Sequence, residues 1–191
     1  HHGSAAPPLA DKLKLWLDHY GLHCVAIYRF GQLTDDVARS RGRLAAPLKV
    51  VVTSSAYSSI AEYIGGEHVE VVHLVEGYQD PHIVRPKPSM AVHLAEADLF
   101  VATGLDLEMW APALVDQANN PALRDGEPGF VSASAGVKIG EVPTTISRAE
   151  GDVHIYGNPH IHTSPLIGKT VAENIATGLK RVDPEHATTY N

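Results

Sequence analysis

A single cysteine, Cys24, stands among 191 residues, so neither an intrachain disulfide nor a thiolate cluster can form. Any transition metal would have to be held by His, Asp, Glu or water. Long apolar runs are missing as well: no stretch approaches the roughly 18 consecutive apolar residues that span a bilayer. Basic residues are in short supply, with 15 Lys and Arg against 22 Asp and Glu and a formal net charge of −7. That balance speaks against a nucleic-acid partner, which selects a basic face. The common catalytic signatures are absent too. There is no GxxxxGK phosphate loop, no GxGxxG after a strand, no GxSxG elbow and no HExxH. His23 and Cys24 are neighbours in sequence, which alone does not make a nucleophile and its base. The start lacks the basic segment and apolar core of an export signal, so an exported form would have had that segment removed. His1 and His2, followed by Gly-Ser, look like a tag remnant, and residues 1–4 are set aside.

What the chain does have is histidine, 12 in all, within a globular composition of 44% hydrophobic and 19% charged residues. Two of them sit in matched settings. Asp80-Pro81-His82 is followed by Pro86, Pro88 and Ser89, and Asn158-Pro159-His160 is followed by Pro165. Each His follows a Pro in a stretch too rich in Pro and Gly for the interior of a helix or strand. Neutral imidazole is a common ligand for zinc and related metals, and ligation needs the ring held at a fixed angle. Prolines on both sides reduce the loop entropy lost when a metal orders it.

The hydrophobic pattern says where such loops would lie. Leu48–Thr53 is a β-branched apolar run, expected as a strand buried on both faces. A helix follows over Ser55–Ile64, stopped by Gly65-Gly66. Val69–Val75 is a second strand with blurred alternation, and Glu76–Pro88 a loop. Ser89–Glu96 reads as a helix with Ser89 as N-cap, Leu99–Ala102 as a third strand, Met109–Ala118 as a helix and Phe130–Ser134 as a strand. Lys138–Asp152 is irregular. Pro165–Lys180 is amphipathic, with Val171, Ile175 and Leu179 at i, i+4 and i+8, and Asp183-Pro184 opens a last helix. Alternating strands and helices imply a parallel sheet, which binds ligands beyond the carboxyl ends of its strands. The His82 loop leaves such an end. Residues 5–46 carry no chemical motif and remain unassigned, residues 47–164 form the α/β metal-binding lobe, and 165–191 a helical segment.

His82 and His160 are therefore the candidate ligands. His162, His154, Asp80 and Glu76 are additional candidates, either on the ion or supporting its ligands. His160-x-His162 on an extended strand would turn both rings to one side, as in several metallohydrolases, so a metal-dependent hydrolase is the rival reading. His68, His73, His93 and His186 have no partner at metal-ligand spacing. Trp110, at the start of a helix, reads as a packing anchor.

Three strings resemble the amino-terminal lobe of the zinc and manganese solute-binding receptors of ABC importers. They are LKVVVTSSAYSSIAEYIGGEHVEVVHLVEGYQDPHIVRPKPSMAVHLAEADLFVATGLDLEMW from Leu48, GDVHIYGNPHIHTSP from Gly151 and AENIATGLKRVDPEHATTYN from Ala172. The resemblance implies two α/β lobes joined by a long helix, with 165–191 leading into it and the metal held between the lobes. It carries His82 and His160 over as the two histidines of this lobe, the opposite lobe supplying a His or Glu and a carboxylate. Asn158 stands where Asp is usual. No second lobe follows Asn191, and residues 5–46 precede the usual start of the family. Within them, WLDHYGLHCVAIY loosely resembles a second-lobe segment. The function implied is capture of a divalent metal ion outside the cytoplasm, in the periplasm or its equivalent, for delivery to an ABC importer permease. Zn2+ is expected, with Mn2+ as the alternative, because the visible ligands are imidazoles. No enzymatic turnover is expected. Membrane association would come only through an anchor outside these residues, and a metal-dependent adhesin is a further reading.

Overall fold

The β-branched run Leu48–Ser54 forms β1, the strand around which the rest is arranged. The computed structural model describes residues 46–140, 142 and 154–191. Expectations for residues 1–45, for 141 and for 143–153 lie outside the described residues. Four strands pair in the order β2-β1-β3-β4, with β2 at Val69–Val75, β3 at Leu99–Ala102 and β4 at Phe130–Ser132. Every pairing is parallel, with Leu48 opposite Val69, Val50 opposite Leu99, and Phe100 opposite Phe130. The architecture is the expected one: α/β, a parallel sheet flanked by helices.

Side chains alternate across the two faces, as a strand period of two requires. Val50, Val52, Leu99 and Val101 pack on one face with α1 (Ser55–Gly65) and α4 (Pro165–Val182). Val51, Phe100 and Ala102 pack on the other with α2 (Pro88–Ala95) and α3 (Ala111–Ala118). A strand covered on both faces has no use for a polar alternation, which is why β1 reads as an uninterrupted apolar run. Removing a core leucine such as Leu94, Leu99 or Leu179, all fully buried, would cost about 2–5 kcal/mol.

The helix predictions hold with instructive shifts. Ser54 caps α1 by accepting from the Ala56 N–H, and Gly66, at φ +53, ends it. The α4 periodicity is real: Val171, Ile175 and Leu179 are all buried. A Cβ at Gly178 would collide with Val131, so glycine there lets the helix seat directly on β4. Ser89 is not the cap of α2. The helix starts at Pro88, whose fixed φ suits the first turn, and Lys87 occupies the cap position without a side-chain bond. Helix α3 starts at Ala111 rather than Met109, because Gly104, Leu105 and Asp106 all take positive φ and use up that stretch in a left-handed turn. Strand β4 stops at Ser132 instead of Ser134. After Asp183 there is only a short 3-10 turn, Pro184–His186, in place of a last helix.

Strand order reverses between β1 and β3, because the chain leaves β1 for β2 on one side and returns to β3 on the other. Ligands bind beyond such a switch point in sheets of this type.

Candidate metal centre

The loop after β2 is built to present one histidine. The Gln79 N–H closes a turn on the Glu76 carbonyl at 2.9 Å, and the Gln79 side-chain oxygen accepts the Glu76 N–H at 2.9 Å. One oxygen of Asp80, Oδ1, then accepts the His82 backbone N–H at 2.9 Å and faces His82 Nδ1 at 2.8 Å. The backbone bond first, then the ring bond, then the nearby charges of His82 and His160 hold the Asp80 carboxyl below the usual carboxylate range. An ionised carboxylate can only accept, so Nδ1 is the nitrogen that carries a proton toward Asp80, and Nε2 is the nitrogen available to an ion. His82 Nε2 is buried without a hydrogen-bond partner, singular in this respect among the described residues. A carboxylate on one imidazole nitrogen and nothing on the other is the arrangement that prepares a metal ligand.

Trp110 completes this loop. It packs against the α2–α3 side of the core and donates its Nε1–H to the Pro81 carbonyl at 2.8 Å. The expected packing anchor is thus also a strut for the Asp80-Pro81-His82 turn.

The second loop repeats the turn. Asn158 Oδ1 accepts the His160 N–H at 3.0 Å, as Asp80 does for His82. The Asn158 N–H bonds the Gly140 carbonyl at 3.0 Å, and Thr163 donates its hydroxyl to the His160 carbonyl at 2.8 Å. Just upstream, the Gly157 N–H closes on the His154 carbonyl at 2.9 Å with Gly157 at φ +89. An added Cβ there would stand 2.6 Å from the Gly140 carbonyl oxygen, so only glycine turns the chain back at this point.

The two loops meet. The His82 and His160 rings are 5.2 Å apart, and those of His82 and His154 5.0 Å. One ligand atom from each of His82, His154 and His160 lies within 4.8 Å of the others. Three sequence candidates fall outside this group: Asp80, which stands on the Nδ1 side of His82, Glu76 and His162. The Glu76 carboxylate faces His73 Nε2 at 3.3 Å. His162 sits 6.1 Å from His160, ring to ring. The extended strand on which His160-x-His162 would share a face is not there: Ile161–Thr163 is a 3-10 turn, which sends alternate side chains in different directions. The hydrolase geometry therefore loses its premise.

His162 instead lines a cavity of about 140 Å³ at the switch point, with Thr53, Glu76, Gln79 and Glu108. Burial, then the charge of His160, lowers its pKa, and Glu108 works in the opposite direction. Glu108 escaped the sequence reading. It is buried and accepts from the Thr53 hydroxyl at 2.7 Å, the Thr103 N–H at 3.0 Å and the Gly104 N–H at 3.2 Å. These three bonds tie the ends of β1 and β3 together and offset the left-handed turn of Leu105 and Asp106, each costing about 1–2 kcal/mol. Its place in the turn that follows β3, at the reversal of strand order, was the available signal.

With this geometry in hand, the likeness to known proteins is informative. A family model described as zinc-uptake complex component A, periplasmic, matches residues 50–191. The manganese ABC transporter substrate-binding lipoprotein PsaA of Streptococcus pneumoniae is 30% identical over 165 residues, covering 84% of this chain and 50% of that protein. The iron-binding protein YfeA of Yersinia pestis is 31% identical over 147 residues, 77% of this chain and 43% of that one. Among solved structures, a crystal structure of ZnuA superposes with a TM-score of 0.61 at 28% identity, covering 76% of this chain and 52% of that chain. The Mn-bound periplasmic metal binding protein of Candidatus Liberibacter asiaticus does so with a TM-score of 0.60 at 26% identity, covering 76% and 49%. The chain spans about half the length of the curated relatives it matches, and its sheet corresponds to one lobe of that receptor fold.

Proposed function

This chain belongs to the periplasmic zinc-uptake component A family, and from that premise we propose that it captures a divalent transition metal outside the cytoplasm for delivery to an ABC importer permease. The observation that carries the reading is the buried, unpartnered Nε2 of His82. Asp80 fixes the tautomer of that ring, and the His160 ring stands 5.2 Å away on an independent loop. His82 and His160 are the ligands. The ion is cargo: it exchanges part of its water shell for imidazole nitrogens, and nothing is turned over. Asp80 makes the His82 ring a better donor and holds it at the angle the ion needs, so little order has to be created on binding.

Zinc is favoured over manganese. Imidazole suits zinc, whereas manganese sites lean on carboxylates, and the convergent group among the described residues holds histidines alone. The relatives named above include a manganese ABC transporter substrate-binding lipoprotein and an iron-binding protein, so ligand chemistry is the basis for this preference.

The test is parallel zinc and manganese titration of the purified chain and of its His82→Ala, His160→Ala double variant, with metal analysis of each. Zinc bound more tightly than manganese, and lost in the double variant, is the expected result. Undiminished zinc binding in the double variant would move the site elsewhere.

A further inference from the structure

We infer that His154 is a third ligand supplied by this same lobe, so that His82, His154 and His160 form a three-imidazole face able to hold zinc without ligands from a second lobe. The inference rests on the reading that His82 and His160 are the metal ligands, and adds to it a residue and a consequence.

The geometry is quantitative. Zinc–nitrogen bonds of about 2.05 Å at tetrahedral angles place ligand nitrogens about 3.3 Å apart and the centres of their imidazole rings about 5.2 Å apart. The three ring separations are 5.0 Å for His82–His154, 5.2 Å for His82–His160 and 5.5 Å for His154–His160. All three sides of the triangle match a shared ion. The ligand atoms lie within 4.8 Å of one another, and on this proposal the rings turn about their side-chain bonds to bring the nitrogens to about 3.3 Å around the ion. A cluster of rings packed for apolar contact alone would have no reason to leave His82 Nε2 buried and unpartnered at its edge.

The local chain explains why His154 can take this place. The Gly157 turn folds the backbone so that His154 comes back beside the Asn158-Pro159-His160 turn. His162, the other histidine of this stretch, is turned away by the 3-10 segment Ile161–Thr163 into the cavity beside Glu108. Of two histidines with equal sequence claims, the fold brings one to the site.

Three neutral imidazoles and one open position make a coordination set that zinc accepts readily, and cobalt(II) reports it in the visible spectrum. The experiment is zinc titration of the full chain by competition with a chromophoric chelator. It covers the wild type, His154→Ala, His154→Gln, His162→Ala and the His82→Ala, His160→Ala double variant. X-ray absorption of each zinc-loaded protein counts bound imidazoles. His1 and His2 are common to all and cancel in the comparison. Circular dichroism without metal checks each fold, and His154→Gln serves if the alanine variant does not fold. Changing a residue that merely orients a ligand costs about 10–100-fold in affinity, and losing the ligand itself should cost at least that. We expect wild type to bind with three imidazoles, the His154 variants to weaken by that factor and drop to two, and His162→Ala to stay near wild type. His154 variants that keep wild-type affinity and imidazole count, while the double variant loses zinc, would overturn the role of His154 and leave the two-histidine site standing. Wild-type binding in the double variant as well would overturn both readings. No zinc binding by the wild-type chain would overturn the claim that this lobe suffices.

Discussion

The two Asx-Pro-His turns share a backbone and differ in charge. In both, the side-chain oxygen of the first residue accepts the histidine N–H, at 2.9 Å for Asp80 and 3.0 Å for Asn158. In the first turn the same oxygen also faces the ring nitrogen of its histidine at 2.8 Å. In the second, a neutral amide stands at that position, and the Thr163 hydroxyl holds the His160 carbonyl. The lesson is a division of labour. Either side chain can shape the turn, but only the carboxylate accepts from the ring nitrogen and so sets the tautomer and the ring's orientation. His82 is the ligand prepared electrostatically, and His160 the one prepared by position.

The largest effect should come from removing the rings themselves. His82→Ala and His160→Ala should each lower zinc affinity by about 100-fold or more, beyond the range seen for supporting residues. Zinc-dependent fluorescence or calorimetry would decide it. A single variant retaining wild-type affinity would mean that its turn presents no ligand, and the comparison would collapse to one loop.

Exchanging the turns' first residues comes next. Asp80→Asn keeps an oxygen for the His82 N–H and removes the charge, so the turn should persist while zinc affinity falls about 10–100-fold. Asn158→Asp should act in the opposite sense and tighten binding by up to about 10-fold. Equal affinities in all three proteins would show that the charge difference between the turns is without consequence for the ion.

Much of this was legible in the sequence because the relevant signals are local. The apolar run of β1, the Pro after Asp80 and Asn158, and the i, i+4, i+8 stripe of α4 each reflect short-range physics that residue order records directly. The strand and helix order followed, and with it the end of the sheet where ligands sit. What the sequence could not rank was His154 against His162. Both lie close to His160, and the choice depends on Gly157 turning the chain against Gly140 and on a 3-10 turn where a strand was expected. Glu108 was hidden for a related reason. A carboxylate in an exposed-looking turn reads as solvated until its three donors, from β1 and the end of β3, are known. The Ser89 cap failed because Pro88 had already started the helix.

A smaller effect separates the turns mechanically. Trp110 braces only the first, through the Pro81 carbonyl. Trp110→Phe keeps most of the packing and loses that bond, which should cost about 1 kcal/mol of stability and a few-fold in zinc affinity. Adding Asp80→Asn to Trp110→Phe should cost more than the two changes separately if both hold the same ring. Strict additivity in the double-mutant cycle would show that the brace and the carboxylate act on different things.

The smallest effect lies at the other histidine–aspartate pair among the described residues, which carries no ligand reading and so serves as the control for Asp80. Asp183 accepts from the Tyr190 hydroxyl at 2.6 Å and faces His186 Nδ1 at 2.7 Å, while His186 stacks on His68 with ring centres 4.2 Å apart. Burial alone would raise the Asp183 pKa, but the bonds from Tyr190 and His186 outweigh it and the net shift is downward. A carboxyl whose folded pKa lies below its unfolded value of about 3.9 gives stability that is fully present above that value and is lost as pH falls through the folded one. Asp183→Asn should therefore cost about 1 kcal/mol near neutrality, the modest figure reflecting solvent screening at this partly exposed pair. The gap between wild type and variant should begin to narrow as pH falls below about 5 and close once the folded carboxyl is protonated, while zinc affinity measured near neutrality, where the imidazoles are free to bind, is the same in both. Denaturant unfolding across that range measures the gap directly. A gap independent of pH would mean that Asp183 acts through shape and not charge. A loss of zinc binding would mean that the two histidine–aspartate pairs are coupled through the sheet, and that the division of labour between the turns extends beyond the site.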